Sequence, residues 1–340
     1  MFISIFNLEK NTFSSILFLI CLKSYICLMD YSNILVFLIS FFLAFLVQKI
    51  FIKNKKFDDF NFRSSHNTLA TKTGGISVFL TIFIISIYNY INTIEIFDFS
   101  LFIPLSIMFI VGVYDDFYNA DFKLKFLLQI IVAKIIIDQG YVITNYYGLF
   151  NMYEVSWIIA QITTVFVFLI IINSFNFIDG VDGLAISQVI KTILLIEFFN
   201  ESLSPLVSLS LILIVSLLPL YYFNFKKKKK IFLGDAGSLF LGTLIAIYIF
   251  HLLGDNYTIK KEFSINKVLF SVLVVLYPLI DLLRVFVLRI KSGVSPFTAD
   301  QRHLHHVILK QVSSKHAIVC LIILIIELCF FCLLMTLFAT

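Results

Sequence analysis

The chain has 340 residues, of which 60% are hydrophobic and only 14% charged, with a mean hydropathy of +0.99. A soluble domain is roughly half apolar and about a quarter charged, so the composition excludes one and indicates a polytopic membrane protein. The net charge of +5 acquires meaning only from where the lysines and arginines lie.

A spanning helix needs roughly 20 mainly apolar residues, with ~17 a practical minimum. Stretches of that kind run over 33–52, 75–92, 99–114, 124–140, 157–173, 183–199, 204–223, 237–253, 268–288 and 317–338. Residues 12–28 form a further apolar run, read either as an eleventh span or as a signal-like segment, and Met29 offers an alternative start. The expected fold is therefore all-α, with about ten transmembrane helices. An N-terminal extension over 1–32 precedes a single membrane-embedded domain over 33–340. Cys21, Cys27, Cys320, Cys329 and Cys332 all sit in apolar runs without a C-x-x-C pair. Buried thiols are expected there, and neither zinc nor disulfides.

Basic residues alternate between the connecting segments. Lys53, Lys55, Lys56, Arg63 and Lys72 follow the first span, and Lys123 and Lys125 the third. Lys226 to Lys230 follow the seventh span, and Arg289, Lys291, Arg302, Lys310 and Lys315 the ninth. Of the opposite segments only 254–267 carries any, as Lys260, Lys261 and Lys267. Positive charge marks the cytoplasmic side, so ten spans would leave both ends facing outward.

That topology gathers the polar motifs on the cytoplasmic side. Residues 63–75 read R-S-S-H-N-T-L-A-T-K-T-G-G, with Arg63, His66 and Lys72 ahead of paired glycines; a positive-inside loop is an adequate alternative for the charges. Asp115 and Asp116 end the apolar run Ile107–Val113. Adjacent carboxylates repel and are best tolerated beside a cation or solvent. They suit metal binding or general-base work, or are two solvated acids at a helix end. In N-S-F-N-F-I-D-G-V-D-G-L-A, Asn173, Asn176, Asp179 and Asp182 recur every third residue, the spacing of surface neighbours on a helix. Gly180 and Gly183 weaken that helix and admit a ligand closely. Amides and carboxylates together suit a hard cation such as Mg²⁺; a polar connecting loop is the plainer alternative.

Two motifs remain. In I-F-L-G-D-A-G-S-L-F-L-G, Asp235 stands between Gly234 and Gly237 at the entry to a span. A helix N-terminus favours anions such as phosphate, while small-residue helix packing would explain the glycines but not the acid. In S-P-F-T-A-D-Q-R-H-L-H-H, Thr298 and Gln301 have capping-box spacing. That sets Arg302, His303, His305 and His306 early in a short helix. The group suits a pyrophosphate, with zinc ligation or a solvated loop as alternatives. Lys226 to Lys230 are read as a topology determinant that touches anionic lipid.

In this order, the Gly pair, Asp-Asp, N-x-x-N-x-x-D-G-x-D-G-L-A, L-G-D-A-G-S and H-L-H-H resemble the polyprenyl-phosphate N-acetylhexosamine-1-phosphate transferases. The resemblance covers about 33–338. That superfamily includes the lipid-I synthase of peptidoglycan assembly and the WecA-type enzymes that start O-antigen and teichoic acid. H-L-H-H resembles the WecA-type branch, since lipid-I synthases usually carry three consecutive His. R-S-S-H resembles a branch that uses modified sugars. The family's Pro-Thr-Pro ahead of the Gly pair is replaced by Leu69-Ala70-Thr71, which puts the role of Lys72 in question.

The resemblance implies transfer of a sugar-1-phosphate from a UDP-N-acetylhexosamine to undecaprenyl phosphate, with release of UMP. It implies Mg²⁺, or Mn²⁺ in its place, held by Asn173 and Asp235. Asp182 and Phe232 would hold uridine, with Asn176, Asp179 and Lys72 in the nucleotide-sugar site. Arg302, His303, His305 and His306 would take the pyrophosphate. Asp115 is expected to take the acceptor's residual proton and Asp116 to orient acceptor or metal. The implied setting is the bacterial inner membrane with the site facing the cytoplasm. Membrane lipid is an expected partner, a homodimer is left open, and nucleic acid is not expected. The alternatives are a lipid-I synthase, a polytopic transporter whose charges would line a midplane path, and a CDP-alcohol-type transferase. The last wants Ala-Arg soon after Asp-Gly, where Val181-Asp182-Gly183-Leu184-Ala185 stands.

Overall fold

The structure is a computed structural model that describes residues 31–57, 69–149, 151–295, 302–313 and 315–338. Arg63, His66, Thr298, Gln301, Cys21, Cys27 and the apolar run 12–28 lie outside the described residues. Every one of the ten apolar stretches is helical. In chain order they are α1 (Tyr31–Lys53), α2 (Gly74–Ile91), α3 (Phe102–Tyr118), α4 (Phe122–Asp138), α5 (Trp157–Phe177), α6 (Leu184–Phe199), α7 (Val207–Phe225) and α8 (Gly234–Leu253). The ninth stretch is broken into α9 (Lys267–Val274) and α10 (Leu276–Lys291), bent by 78°. A short α11 (Leu304–Gln311) precedes α12 (His316–Leu337).

Among the described residues, seven helices are long and apolar enough to cross a membrane, or eight if the bent pair is one span. The expected ten is not reached because α4 and α6 have 17 and 16 residues, and α6 is buried along most of its length. Apolar side chains such as Ile34, Phe42, Ile103, Ile158, Ile162 and Phe166 are exposed on the outer helix faces, as lipid contact requires. Cys329 faces outward with them, whereas Cys320 is buried as expected; with Cys332 they are free thiols.

Four short strands accompany the helices. β1 (Ala70–Lys72) pairs in parallel with β4 (Lys230–Phe232), aligning Lys72 with Phe232. β2 (Asn145–Leu149) and β3 (Met152–Glu154) form a hairpin at the opposite end of the bundle. The β1–β4 pair ties together the segments that lead into α2 and α8, so those two helices start side by side.

α8 is the central helix, with 94% of its spanning window buried. Three neighbours approach it through glycines. A Cβ on Gly75 of α2 would lie 2.1 Å from the Gly237 nitrogen. One on Gly112 of α3 would lie 2.3 Å from the Asp235 carbonyl, and one on Gly242 would lie 3.1 Å from Ile172 Cα of α5. With lipid outside, helix association depends on such close packing rather than on expelling water. The small residues around Asp235 are therefore packing residues, as their spacing suggested.

The bundle also buries an ion pair, Lys191 of α6 with Glu327 of α12. A lone charge at a helix centre costs ~2.5–3.5 kcal/mol on insertion scales, which explains why the two meet.

Gly75→Ala should destabilise the protein by at least ~2 kcal/mol, since overpacking typically costs about 1–3 kcal/mol and only backbone faces the new methyl. Gly254→Ala, where the nearest atom is 3.2 Å away, should cost under ~1 kcal/mol. Thermal unfolding in detergent, followed at Trp157, measures the difference.

Candidate active site

The site forms where α8 begins. Gly234 has φ +74°, which lets the chain turn from β4 into α8. The first N–H groups of a helix lack intrahelical partners. Here Asp116 of α3 supplies them, accepting from the Asp235 N–H at 3.1 Å and the Ala236 N–H at 2.9 Å. The Lys72 ammonium stands 3.7 Å from the same carboxylate. The anion at this helix N-terminus is thus a side chain of the protein, where the sequence suggested a phosphate.

Asp115 points another way. One oxygen accepts the Ala120 N–H at 2.8 Å and the other meets Lys125 Nζ at 2.6 Å. Lys125 also lies 3.8 Å from Asp235. A proton taken from the acceptor by Asp115, the role expected of it, would compete with both bonds. The two adjacent acids divide their work: Asp116 fixes α8 and Asp115 fixes Lys125.

The three-residue spacing of the central motif holds on α5 and then ends. Asn176 donates to Asp235 and, at 2.8 Å, to Ser238 Oγ. Asn173, one turn earlier, exchanges hydrogen bonds with Gln129 of α4, at 3.0 Å and 3.4 Å. The amide set against Asp235 is therefore that of Asn176, while Asn173 is turned toward α4. Asp179 and Asp182 follow in the loop after α5. Burial, then the charges of Asp235, Asp116 and Asp182, raise Asp179 well above the usual carboxylate range, against a hydrogen bond from the Gly234 N–H. Burial also works to raise Asp182, but His316 and Lys230 outweigh it and hold that acid below its ordinary value. Its carboxylate is paired with Lys230, with His316 Nδ1 at 3.1 Å. Asp182, expected to help hold uridine, is thus paired within the protein. Phe232, at the end of β4, is half-buried beside Lys72.

The H-L-H-H residues divide as well. A Cβ on Gly180 would lie 3.0 Å from His305 Nε2 and 3.2 Å from His306 Nε2, so both imidazoles abut the 178–183 loop. His303 instead bonds Asp281 of α10 at 2.8 Å. Arg302 bonds the end of α10 at Leu288 O, 3.2 Å, and Ser292 Oγ, 2.8 Å. Two of the four expected pyrophosphate ligands therefore reach the acidic cluster, and two brace the segment on α10. Burial, then the neighbouring His306, His303 and His316, push His305 well below the ordinary imidazole range. Burial, His303 and Lys310 push His306 down to about 4. Near neutral pH both are uncharged hydrogen-bonding groups.

Among the described residues no three His, Cys, Asp or Glu side chains form a ready metal cluster; zinc ligation by His-x-His-His finds no support. The carboxylate of Asp235 is the kind of donor a hard cation takes, and the amide N–H of Asn176 and the Lys125 ammonium stand against it. Sequence reasoning missed Gln129, Lys125, His316 and Asp281, and gave Lys230 no chemistry. Only Asp281 left a signal, as the single acid within the ninth apolar stretch.

A helical multi-pass protein with acids, lysines and imidazoles converging at one end of its bundle is built to handle anionic groups at a membrane surface. Residues 98–252 match the family described as glycosyl transferase family 4. The match runs from just before α3 to α8 and so contains all five acids of the site. The chain is 29% identical over 265 residues to a Bacillus subtilis (strain 168) protein named probable undecaprenyl-phosphate N-acetylglucosaminyl 1-phosphate transferase, covering 77% of this chain and 72% of that one. It is 29% identical over 294 residues to the undecaprenyl-phosphate alpha-N-acetylglucosaminyl 1-phosphate transferase of Salmonella typhi, covering 84% and 77%. The namesake of Escherichia coli (strain K12) is 28% identical over the same length. The resemblance read from the ordered motifs is borne out, and with it the reading of the chain as a transferase enzyme.

The imidazoles make stability depend on pH. Unfolded His306 takes up its proton near pH 6.5, whereas folded His306 waits until about 4. The unfolded state then binds more protons between those values, so stability falls as pH drops through that window. His306→Gln should flatten the decline of Tm between pH 6.5 and 4.5, measured in detergent.

Proposed function

We propose that the chain transfers N-acetylglucosamine-1-phosphate from its UDP derivative to undecaprenyl phosphate, releasing UMP, as the first step of a cell-surface glycan. The reaction would run at the cytoplasmic face of the bacterial inner membrane, the side marked by the basic segments. The observation that carries this reading is the convergence of Asp115, Asp116, Asp179, Asp182 and Asp235 with Lys72, Lys125, His305 and His306 at helix ends. There a lipid phosphate and a soluble nucleotide can meet. The names of the relatives agree with it.

An oxygen of the lipid phosphate attacks the phosphorus that bears the sugar, the bond from that phosphorus to the UMP oxygen breaks, and UMP leaves. One phosphoanhydride replaces another, so the reaction needs no ATP. Such a transfer depends on alignment and charge neutralisation more than on covalent help. Asp235 would hold a single Mg²⁺ through its carboxylate, with substrate phosphates to complete the shell, and Asn173 would join it on release from Gln129. Once bound, Mg²⁺ would offset the repulsion between the two anionic substrates.

The protein's own groups have distinct tasks. Asp116, locked on the first N–H groups of α8, holds Asp235 in place. Lys72 and Lys125 bring positive charge to the rim of the acids. His305 and His306, neutral at the loop that carries Asp179, can donate N–H groups to phosphate oxygens without the desolvation cost of a buried cation. Phe232 offers a ring on which a uracil can stack.

Purified protein given labelled UDP-N-acetylglucosamine and undecaprenyl phosphate should place label in a lipid pyrophosphate with matching UMP. No transfer from any UDP-N-acetylhexosamine overturns the reading. Asp235→Asn should lower kcat by about 10²–10³, the scale of losing one electrostatic stabiliser, while the protein still inserts.

The role of Asp115 has its own test. The acceptor's second pKa lies near ~6, so a true base at Asp115 would be spared above that pH. With Asp115 already bonded to Ala120 and Lys125, Asp115→Asn should instead show a deficit nearly uniform from pH 5.5 to 8.5. Recovery of activity at high pH would restore the general-base assignment.

A further inference from the structure

We infer that the buried Lys191–Glu327 ion pair positions the site imidazole of His305, acting through Tyr277. The inference rests on the transferase reading for its activity readout and goes beyond it, since neither residue touches the acidic cluster.

Glu327 is the one carboxylate of α12 and sits at the middle of that span. Its side chain and that of Lys191 are each 5% exposed, with Nζ 2.5 Å from Oε1. Gln188 closes the group, donating to Glu327 Oε2 at 2.8 Å and accepting from Lys191 at 2.8 Å. A buried pair is weak support for stability, because desolvation offsets its attraction. Its geometry points to another use.

Glu327 Oε1 also accepts the backbone N–H of Tyr277 at 3.1 Å. Tyr277 is in the first turn of α10, just past the 78° break, where a helix has N–H groups without intrahelical partners. On the other side of the break, Thr192 donates to the Val274 carbonyl at 3.0 Å. Lipid offers no substitute for such bonds. Lys191 supplies the countercharge that lets Glu327 remain an all-acceptor carboxylate.

The other end of Tyr277 reaches the site. Its hydroxyl lies 3.2 Å from His305 Nδ1. His305 is fully buried, and its Nε2, without a hydrogen-bond partner among the described residues, faces Gly180. A Tyr277 O–H that donates to Nδ1 sets the tautomer with the proton on Nε2, toward the loop that carries Asp179. The path is then continuous: Lys191 holds Glu327, Glu327 holds the backbone of Tyr277, and the Tyr277 hydroxyl sets the ring of His305. Glu327, Lys191 and Tyr277 are positioning residues.

The test pairs Tyr277→Phe with the double variant Lys191→Met/Glu327→Leu, which removes both charges together and leaves neither stranded. Each should lower kcat about 10- to 100-fold, the range of a small misplacement near the chemistry. KM for UDP-N-acetylglucosamine should stay within about twofold, as expected when only the transition state is affected. The triple variant should be no worse than either, because the residues act in one series. Hydrogen exchange of residues 302–311 should speed up in the double variant. Wild-type kcat in the double variant, multiplied losses in the triple, or unchanged exchange overturns the inference. If the double variant does not fold, Tyr277→Phe decides alone, and wild-type kcat in it has the same consequence. Wild-type protein inactive in sugar-phosphate transfer refutes the proposed function instead, and the exchange measurement still decides the positioning.

Discussion

The contact between Asp116 and the first N–H groups of α8 governs both the fold and the site. Hydrogen bonds to a charged group contribute about 1.5–3 kcal/mol each, and the carboxylate also meets the positive end of the helix dipole. Asp116 can reach those groups only because Gly112, one turn earlier on α3, lets that helix touch the backbone at Asp235 and Ala236. Gly75 does the same from α2. The packing that closes the bundle is thus the packing that brings Lys72, Asp116 and Asp235 together. Loosening these crossings would unmake the site before it unmade the protein.

Charge balance sets the site's chemistry. Asp115, Asp116, Asp179, Asp182 and Asp235 share a small volume with Lys72, Lys125 and Lys230, while His305 and His306 are held neutral. The acids outnumber the ammonium groups, and burial together with its acidic neighbours pushes Asp179 upward. A cluster short of positive charge favours a hard cation over a further anion. Two anionic substrates would be tolerated only with such an ion between them and the acids.

The helices were legible because lipid demands long apolar runs, and the motifs because their acids and glycines interrupt those runs. What the sequence could not fix was the rotation of each helix about its axis. The spacing of Asn173 and Asn176 put both on one face, but only packing decides that Asn176 meets Asp235 and Asn173 meets Gln129. Lys125 and Lys230 read as topology signals because a loop lysine looks the same whether it meets lipid or an acid. Glu327 stands as the lone charge of its apolar stretch, a pattern that in a membrane calls for a named partner. The count of long apolar crossings stops short of ten because α4 and α6 have only 17 and 16 residues.

The break between α9 and α10 shows how the membrane constrains the site from a distance. An unbroken ninth span would satisfy its own backbone, and the bundle would not need Thr192 or Glu327 at its core. Breaking it frees polar groups that must be answered by side chains from other helices. The bend also changes which way α10 faces. It buries Tyr277, Asp281 and Arg289 and turns Ile280, Leu283, Val287 and Ile290 outward, the reverse of a helix lying on a soluble protein. From that inward face Asp281 bonds the His303 ring and accepts the Leu304 N–H at 2.7 Å, so the start of α11 is fixed on α10. The histidines are therefore placed by a helix whose direction is fixed by polar groups deep in the apolar bundle. Charge buried far from the chemistry and geometry at the surface belong to one structural requirement.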